Sequence, residues 1–283
     1  RKKNFYKIHM IVWLVSYPKS GNTWVRAFLS TYFQSSNNKF NYNLLNKISE
    51  FPQHDIINKF MQTKDFHNLG EVSKNWIKTQ NEINLNKKVT FLKTHSALCN
   101  VGGNVFTNKD TTLVFIYIVR DPRNIILSLS NHFGFNQEKS LEILTDEKYT
   151  IYPKNSVQNF PATHVSSWKN HYCSWKNCTS INNIIIKYED LISNPHNTFK
   201  KLVLFLNKYA KIEYNDDKLT NSIKATQFEN LKNYEEKYGF KMGQKNKFFH
   251  LGKNNNWKSL LNKKIESEIN NQFESSMKEL GYI

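Results

Sequence analysis

The sequence predicts an α/β protein, a mostly parallel sheet covered by helices on both faces in a single domain. Two observations carry that expectation. Four short runs, Ile11–Ser16, Val89–Lys93, Leu113–Val119 and Ile184–Tyr188, are nearly continuous in apolar, β-branched and aromatic residues, as strands buried on both faces are. Between them lie segments with apolar residues at helical spacing, and strands that alternate with helices form parallel sheets. With 283 residues, 39% of them hydrophobic and 14% aromatic, the chain is long enough to bury such a core. It is also too apolar for a disordered tail protein.

The first run, IVWLVS, leads through Tyr17 to a helical pattern over Thr23–Phe33, with Trp24, Phe28, Leu29 and Tyr32 on its apolar face. Pro122 opens a second helix carrying Ile125, Ile126 and Leu129. Pro161 opens a third, with His164, Trp168, His171 and Trp175 on one stripe that reads as a core face. Pro195 stands where a first helical turn begins, ahead of Phe199, Leu202, Val203 and Leu206. A last helix is expected through Leu261, Ile265, Ile269, Phe273 and Met277, stopped by Gly281. The Asn-rich stretches Ser35–Lys88 and Gly134–Phe160 read as insertions with some helix. No repeat or linker divides the chain, so one domain is expected over 11–283 after a tail at 1–10, with Met10 as a candidate native start.

Charge excludes less than its size suggests. Forty Lys and Arg against 23 Asp and Glu give +17 and a pI near 9.6, yet the lysines are spread through every segment. That is a drift of composition, not a phosphate-tracking stripe, and no nucleic-acid partner is expected. Only four residues are arginine, and Arg26, Arg120 and Arg123 all lie beside the motifs below. The longest apolar run, Leu113–Val119, is far short of the ~18 residues that span a bilayer, and no leader pattern is present. Cys99, Cys173 and Cys178 form no CxxC pair, which suits free thiols in the cytoplasm. His164 and His171 would sit ~10.5 Å apart along a helix, too far for one metal, so no metal is expected.

The strongest chemical signal follows the first strand. Tyr17-Pro18-Lys19-Ser20-Gly21-Asn22-Thr23 runs straight into a helix, and such a turn gathers backbone N–H groups at a helix N-terminus that favours anions. Gly21 permits close approach, Ser20 and Thr23 add hydroxyls, and Lys19 adds a mobile cation. It is not a Walker sequence, because the Lys precedes the Gly. The second signal is LVFIYIVRDPRNIILS. Arg120 ends a strand at the crevice where open α/β sheets bind ligands, and Ser128 lies two turns into the next helix.

YPKSGNTW resembles the 5′-phosphosulfate loop of the sulfotransferases that use 3′-phosphoadenylyl sulfate (PAPS), and VRDPRNIILS is similar to their 3′-phosphate motif. FLKTH ending at His95, IIIKYEDL around Tyr188, ATQF with Thr226 and Phe228, and FFHLGKNNNW follow in family order, so the match spans about residues 11 to 260. The resemblance implies a P-loop-like fold and sulfuryl transfer from PAPS to an acceptor hydroxyl or amine, leaving 3′-phosphoadenosine 5′-phosphate (PAP). It implies Lys19 as the group that meets the leaving oxygen and His95 as the general base. It further implies Ser20, Gly21, Asn22, Thr23 and Trp24 around the 5′-phosphosulfate, and Arg120 and Ser128 at the 3′-phosphate. Trp24, Tyr188, Thr226 and Phe228 would frame the adenine. Where the family carries Arg-Lys-Gly, this chain has His250-Leu251-Gly252, with Lys253 next to substitute in part; Ser96-Ala97 stand where many members have Leu-Pro.

Two other classes compete. A P-loop kinase or NTPase needs a lysine after the glycine and a Mg-holding acid, and neither is placed here. A non-catalytic Lys-rich nucleic-acid module needs basic residues clustered with aromatics. Acceptor contacts are expected from the two insertions, whose Tyr, Phe, Trp and Asn suit a glycan or a phenolic small molecule. The sequence leaves a homodimer open.

Overall fold

Ile11–Ser16 (β1) is wholly buried and forms the middle of a five-stranded sheet. The chain is described by a computed structural model covering residues 10–34, 39–153, 160–239, 247–249 and 256–283. The other strands are Ser49–Glu50 (β2), Thr90–Thr94 (β3), Thr112–Val119 (β4) and Asn182–Lys187 (β5). Their order is β2-β3-β1-β4-β5, every pair parallel. The sequence order reverses at β1, so the crevice beyond its C-terminal end is the topological switch point.

Alternation along the central strands builds two cores at once. Trp13, Val15, Phe115, Tyr117 and Val119 enter one layer; Val12, Leu14, Val114, Ile116 and Ile118 enter the other. Asn22–Gln34 (α1) and Pro195–Ala210 (α5) cover the second layer, where the rings of Phe28 and Phe199 stack at 3.8 Å. Pro122–Phe133 (α2) and Trp168–Lys176 (α3) cover the first. Pro195 occupies the opening turn of α5, and Gly134 ends α2 in a left-handed conformation. Tyr188–Ser193 (α4), Asp216–Ala225 (α6) and Phe228–Tyr238 (α7) complete the elements around the site.

The structure differs from the sequence reading in four places. The third helix begins at Trp168, not after Pro161, because Ser167 caps it by accepting the Asn170 N–H and Ser166 turns the chain at φ +65°. His164 instead lies in a two-residue strand paired with Thr150–Ile151. The last helix is two pieces, Lys263–Gln272 and Glu274–Glu279, divided at Phe273. Tyr188 opens α4 rather than closing β5. Residues 39–88, read as an insertion with some helix, also feed the core: Phe51, Ile57, Val72, Trp76 and Ile83 belong to the first core layer. Of the expected tail, Met10 is buried and accepts the Thr90 N–H, while 1–9 lie outside the described residues. Among the described residues no helix is long and apolar enough to cross a membrane.

Candidate active site

Parallel strands deliver their C-terminal ends to one edge: Ser16, Thr94, Val119 and Lys187. A cavity of about 1200 Å³ opens there. Its lining includes Lys19, Gly21, Asn22, Thr23 and Trp24 from the first turn, Arg120 and Ser128 from the second motif, and Tyr188 and Phe228.

The turn is built tightly. Lys19 adopts φ +68°, sparse for a side-chain-bearing residue, and Gly21 adopts φ +102°. The Tyr188 ring packs so closely on Gly21 that a Cβ there would meet Cδ2 at 2.4 Å, so only glycine fits. Arg120 Nη1 donates to the Lys19 carbonyl at 2.8 Å, bracing the strained residue, while its guanidinium lies 4.2 Å over the Tyr188 ring. Asn22 faces backwards, its amide donating to Leu14 O and Ser16 Oγ at 3.3 Å. Its amide nitrogen thus ties turn to strand, while the residue still borders the cavity.

Several donors here have no acceptor: Ser20 Oγ, Trp24 Nε1 and Arg120 Nε are buried without a hydrogen-bond partner. Trp24 and Arg120 line the cavity, where an anion would meet their unpartnered N–H groups, whereas Ser20 lies behind the turn. Arg120 has no ion-pair partner among the described residues. Asp121 pairs instead with Arg123, Nη2 to Oδ2 at 2.7 Å, and Glu189 accepts from the Asp121 N–H and the Tyr282 hydroxyl. The Lys19 ammonium rests 3.9 Å over the Phe248 ring. Burial first, and then Arg120, lowers its pKa to about 7, against a smaller upward pull from Glu235. Glu235 also holds the backbone N–H groups of Phe248 and Phe249, at 2.7 and 2.9 Å.

Thr226 is fully buried at the end of α6, its hydroxyl donating to Ser222 O at 2.7 Å, and it does not line the cavity. Ser20 does not line it either. His250, Leu251, Gly252 and Lys253 lie outside the described residues.

His95 follows β3 and lines the cavity beside β1. Its Nδ1 is 2.7 Å from the Ser16 carbonyl. A carbonyl only accepts, so Nδ1 carries the hydrogen and the Nε2 lone pair is left free. Burial, with Lys93 next in effect, lowers the pKa of His95 to about 4, and the ring is neutral at pH 7. His171 on α3 braces it from below, Nε2–H donating to His95 O at 3.2 Å while Nδ1 accepts from Tyr117 at 2.8 Å. Another part of the cavity wall is apolar, with Phe51, Pro52, Phe133, Ile143, Tyr149 and Phe160, drawn from both segments expected to carry acceptor contacts and from the end of α2.

The sequence marked Arg26 only as one of the arginines beside the two motifs, and it pointed neither to Glu50 nor to a place for His171 beside this site. Glu50 sits in a two-residue strand inside a polar stretch, and nothing in its spacing marks it. His171 was legible as one residue of an apolar stripe, too far from His164 to share a metal.

An anion cradle at a switch point, a braced arginine and a neutral imidazole with one free lone pair define a P-loop-like group-transfer enzyme. The chain belongs to the sulfotransferase family, whose sulfotransferase domain model matches residues 10–281. Flavonol 4′-sulfotransferase of Flaveria chlorifolia is 24% identical to it, over 96% of this chain and 80% of that protein. Mouse sulfotransferase SULT7A1 complexed with PAP shares the fold with TM-score 0.60 at 20% identity, covering 95% of this chain and 85% of the other. Retinol dehydratase in complex with retinol and PAP does so at 0.62 and 15%, covering 97% and 83%. A second retinol dehydratase structure, with androsterone and PAP, gives 0.61 and 14%, covering 96% and 82%.

Proposed function

We propose that this chain transfers the sulfuryl group of PAPS to the hydroxyl of a small, ring-bearing acceptor, using Lys19 and His95. The observation that supports this most is the placing, on one sheet edge, of a donor-rich cradle beside an imidazole whose tautomer is fixed for proton acceptance. The buried, unpartnered donors and the glycine that admits close approach fit a nucleotide with two anionic ends.

The first helical N–H groups, the Thr23 hydroxyl and Lys19 would hold the 5′-phosphosulfate. Ser20 offers an uncommitted hydroxyl from behind, and Asn22 keeps the turn on its strand. Arg120 and Ser128 would take the 3′-phosphate. Trp24, Tyr188 and Phe228 would frame the adenine, with Thr226 buried behind them at the end of α6. Leu251, Gly252 and Lys253 complete the 3′-phosphate site on sequence alone. PAPS supplies the activated sulfuryl group. His95 Nε2 takes the proton of the acceptor hydroxyl as its oxygen bonds to sulfur. Lys19 donates to the bridging oxygen as the sulfur–oxygen bond to the phosphate breaks. Sulfuryl transfer, like phosphoryl transfer, needs chiefly positioning and charge stabilisation, so a lysine, an N–H cradle and one base suffice.

The aromatic wall favours an apolar ring over a glycan, in keeping with the flavonol, retinol and androsterone named for the relatives. Three unpaired cysteines suit a cytoplasmic setting. The test is transfer of radiolabelled sulfur from PAPS to a panel of simple phenols and alcohols. Label should reach an acceptor with formation of PAP, and Lys19→Ala should slow transfer by about 10²–10³. Label released only as inorganic sulfate by the wild type overturns the reading.

A further inference from the structure

A charge cluster not yet given a role lines the same cavity as His95. Glu50 and Lys93 face each other across β2 and β3 in register, and Phe51 N–H donates to Lys93 O at 2.9 Å. Their side chains meet at 2.9 Å, Lys93 almost wholly buried at 4% exposure and Glu50 at 29%. Two ladder residues make a weak strand on their own. Arg26 on α1 holds the approach to it, Nη2 donating to Leu45 O and Ile48 O at 2.9 Å each. Lys93 and His95 are two residues apart, hence on the same side of the chain, and Arg26, Glu50, Lys93 and His95 all line the cavity.

We infer that Glu50 is a positioning residue for His95: its carboxylate clamps Lys93 at the end of β3 and supplies the single negative charge facing the imidazole among the described residues. The groups facing His95 are Lys93 and Glu50 from the two strands, Arg26 from α1, the Ser16 carbonyl from β1 and His171 from α3. Two of these, Lys93 and Arg26, are basic side chains. A proton arriving on Nε2 would meet both unopposed if Glu50 were absent, and the base would weaken. Stability does not account for the pair, since burying an ion pair gains little over an apolar pair of similar volume. Its value lies in where it puts charge. The directions agree: Lys93 and Arg26 push His95 towards its neutral form, and Glu50 pulls the other way.

This inference rests on His95 being the base, and the test separates the two. The unliganded protein, labelled with ¹⁵N-histidine, is titrated by NMR, with the His95 signal assigned by its loss in His95→Asn. Glu50→Gln should lower the His95 midpoint by about half a pH unit or more, and Lys93→Met should raise it. The double variant should return close to wild type, because the opposed charges leave together. Should Glu50→Gln fail to fold, with Lys93 left buried and unpaired, Lys93→Met and the double variant still decide the matter. With PAPS and 4-methylphenol as probes, Glu50→Gln should lose about tenfold in turnover and keep its affinity for PAP. Unmoved midpoints overturn the inference, as does a moved midpoint with unchanged turnover. Full turnover in His95→Asn overturns the base reading itself, whereas an inactive His95→Asn with an unmoved midpoint in Glu50→Gln overturns only the role of Glu50.

Discussion

A histidine at the end of a strand serves as a base only when one nitrogen is free and the ring is neutral. Ser16 O provides the first condition for His95 by engaging Nδ1, and a dry setting beside Lys93 provides the second. His95→Asn can retain a donor to Ser16 but offers no basic lone pair. Turnover should fall by about 10²–10⁴ while PAP affinity and melting temperature hold; parallel kinetics and calorimetry check this. Lys19 carries a pH signature of its own. With its pKa lowered to about 7, the free protein already holds the proton below that pH and lacks it above. A phosphate bound at the ammonium favours the charged form, so binding above pH 7 takes up a proton. Affinity should then weaken towards tenfold per pH unit. Calorimetry of PAP at pH 8 in two buffers of different ionisation heat should show uptake of up to one proton per nucleotide. The lysine was legible from its loop, but its rest on Phe248 and its nearness to Glu235 were not, because they join residues more than 200 positions apart in sequence.

The elements at the sheet edge work because two of them interlock. The Lys19–Gly21 turn ends β1 and the Tyr188 ring opens α4, and they meet where glycine is required. Gly21→Ala should cost about 1–3 kcal/mol, from the positive φ and the collision with Tyr188 together. It should appear as lower stability, weaker PAP binding, or both, in urea unfolding and calorimetry. Asp121 caps α2 by accepting the Arg123 N–H, and it pairs with the buried Arg123 guanidinium, which also donates to Tyr282 O at 2.7 Å. Asp121→Ala strands that charge and should cost about 3–5 kcal/mol; a loss under about 1 kcal/mol in urea unfolding would contradict this account of the second motif. Long buried runs such as Ile11–Ser16 were legible because two-sided burial leaves an unbroken apolar string. β2 was not, since its two residues, Ser49 and Glu50, owe their strand to Lys93 and Arg26 and not to their own propensity. The late start of α3 was missed for a related reason: the capping serine outranked the apolar period.

At the scale of the molecule, parallel topology does the gathering. Four strand ends bring Lys19, His95, Arg120 and Tyr188, which are scattered over 170 positions, to one edge. The parallel pairing of the strands followed from the alternating pattern, though not their order, and the residues gathered at the edge were marked by the collinear motifs. The apolar part of the cavity was not legible, because its wall draws on residues 51–52, 133–151 and 160–161, which meet only once folded. A ligand joining so many segments should stabilise them collectively. PAP at 100-fold its dissociation constant should add about 2.7 kcal/mol to unfolding, whereas ATP with Mg²⁺ should add far less. A thermal shift read at graded PAP concentrations checks it.

The central claim is that this edge reads a nucleotide bearing both a 5′ and a 3′ phosphate, the second held chiefly by Arg120. Calorimetric titration of PAP and of adenosine 5′-phosphate, against wild type and Arg120→Ala, tests it most directly. Wild type should prefer PAP by about 30-fold or more, roughly 2 kcal/mol, and the preference should largely vanish in Arg120→Ala. Equal affinity of the wild type for the two nucleotides, or an equal loss for both on removing Arg120, would contradict the account.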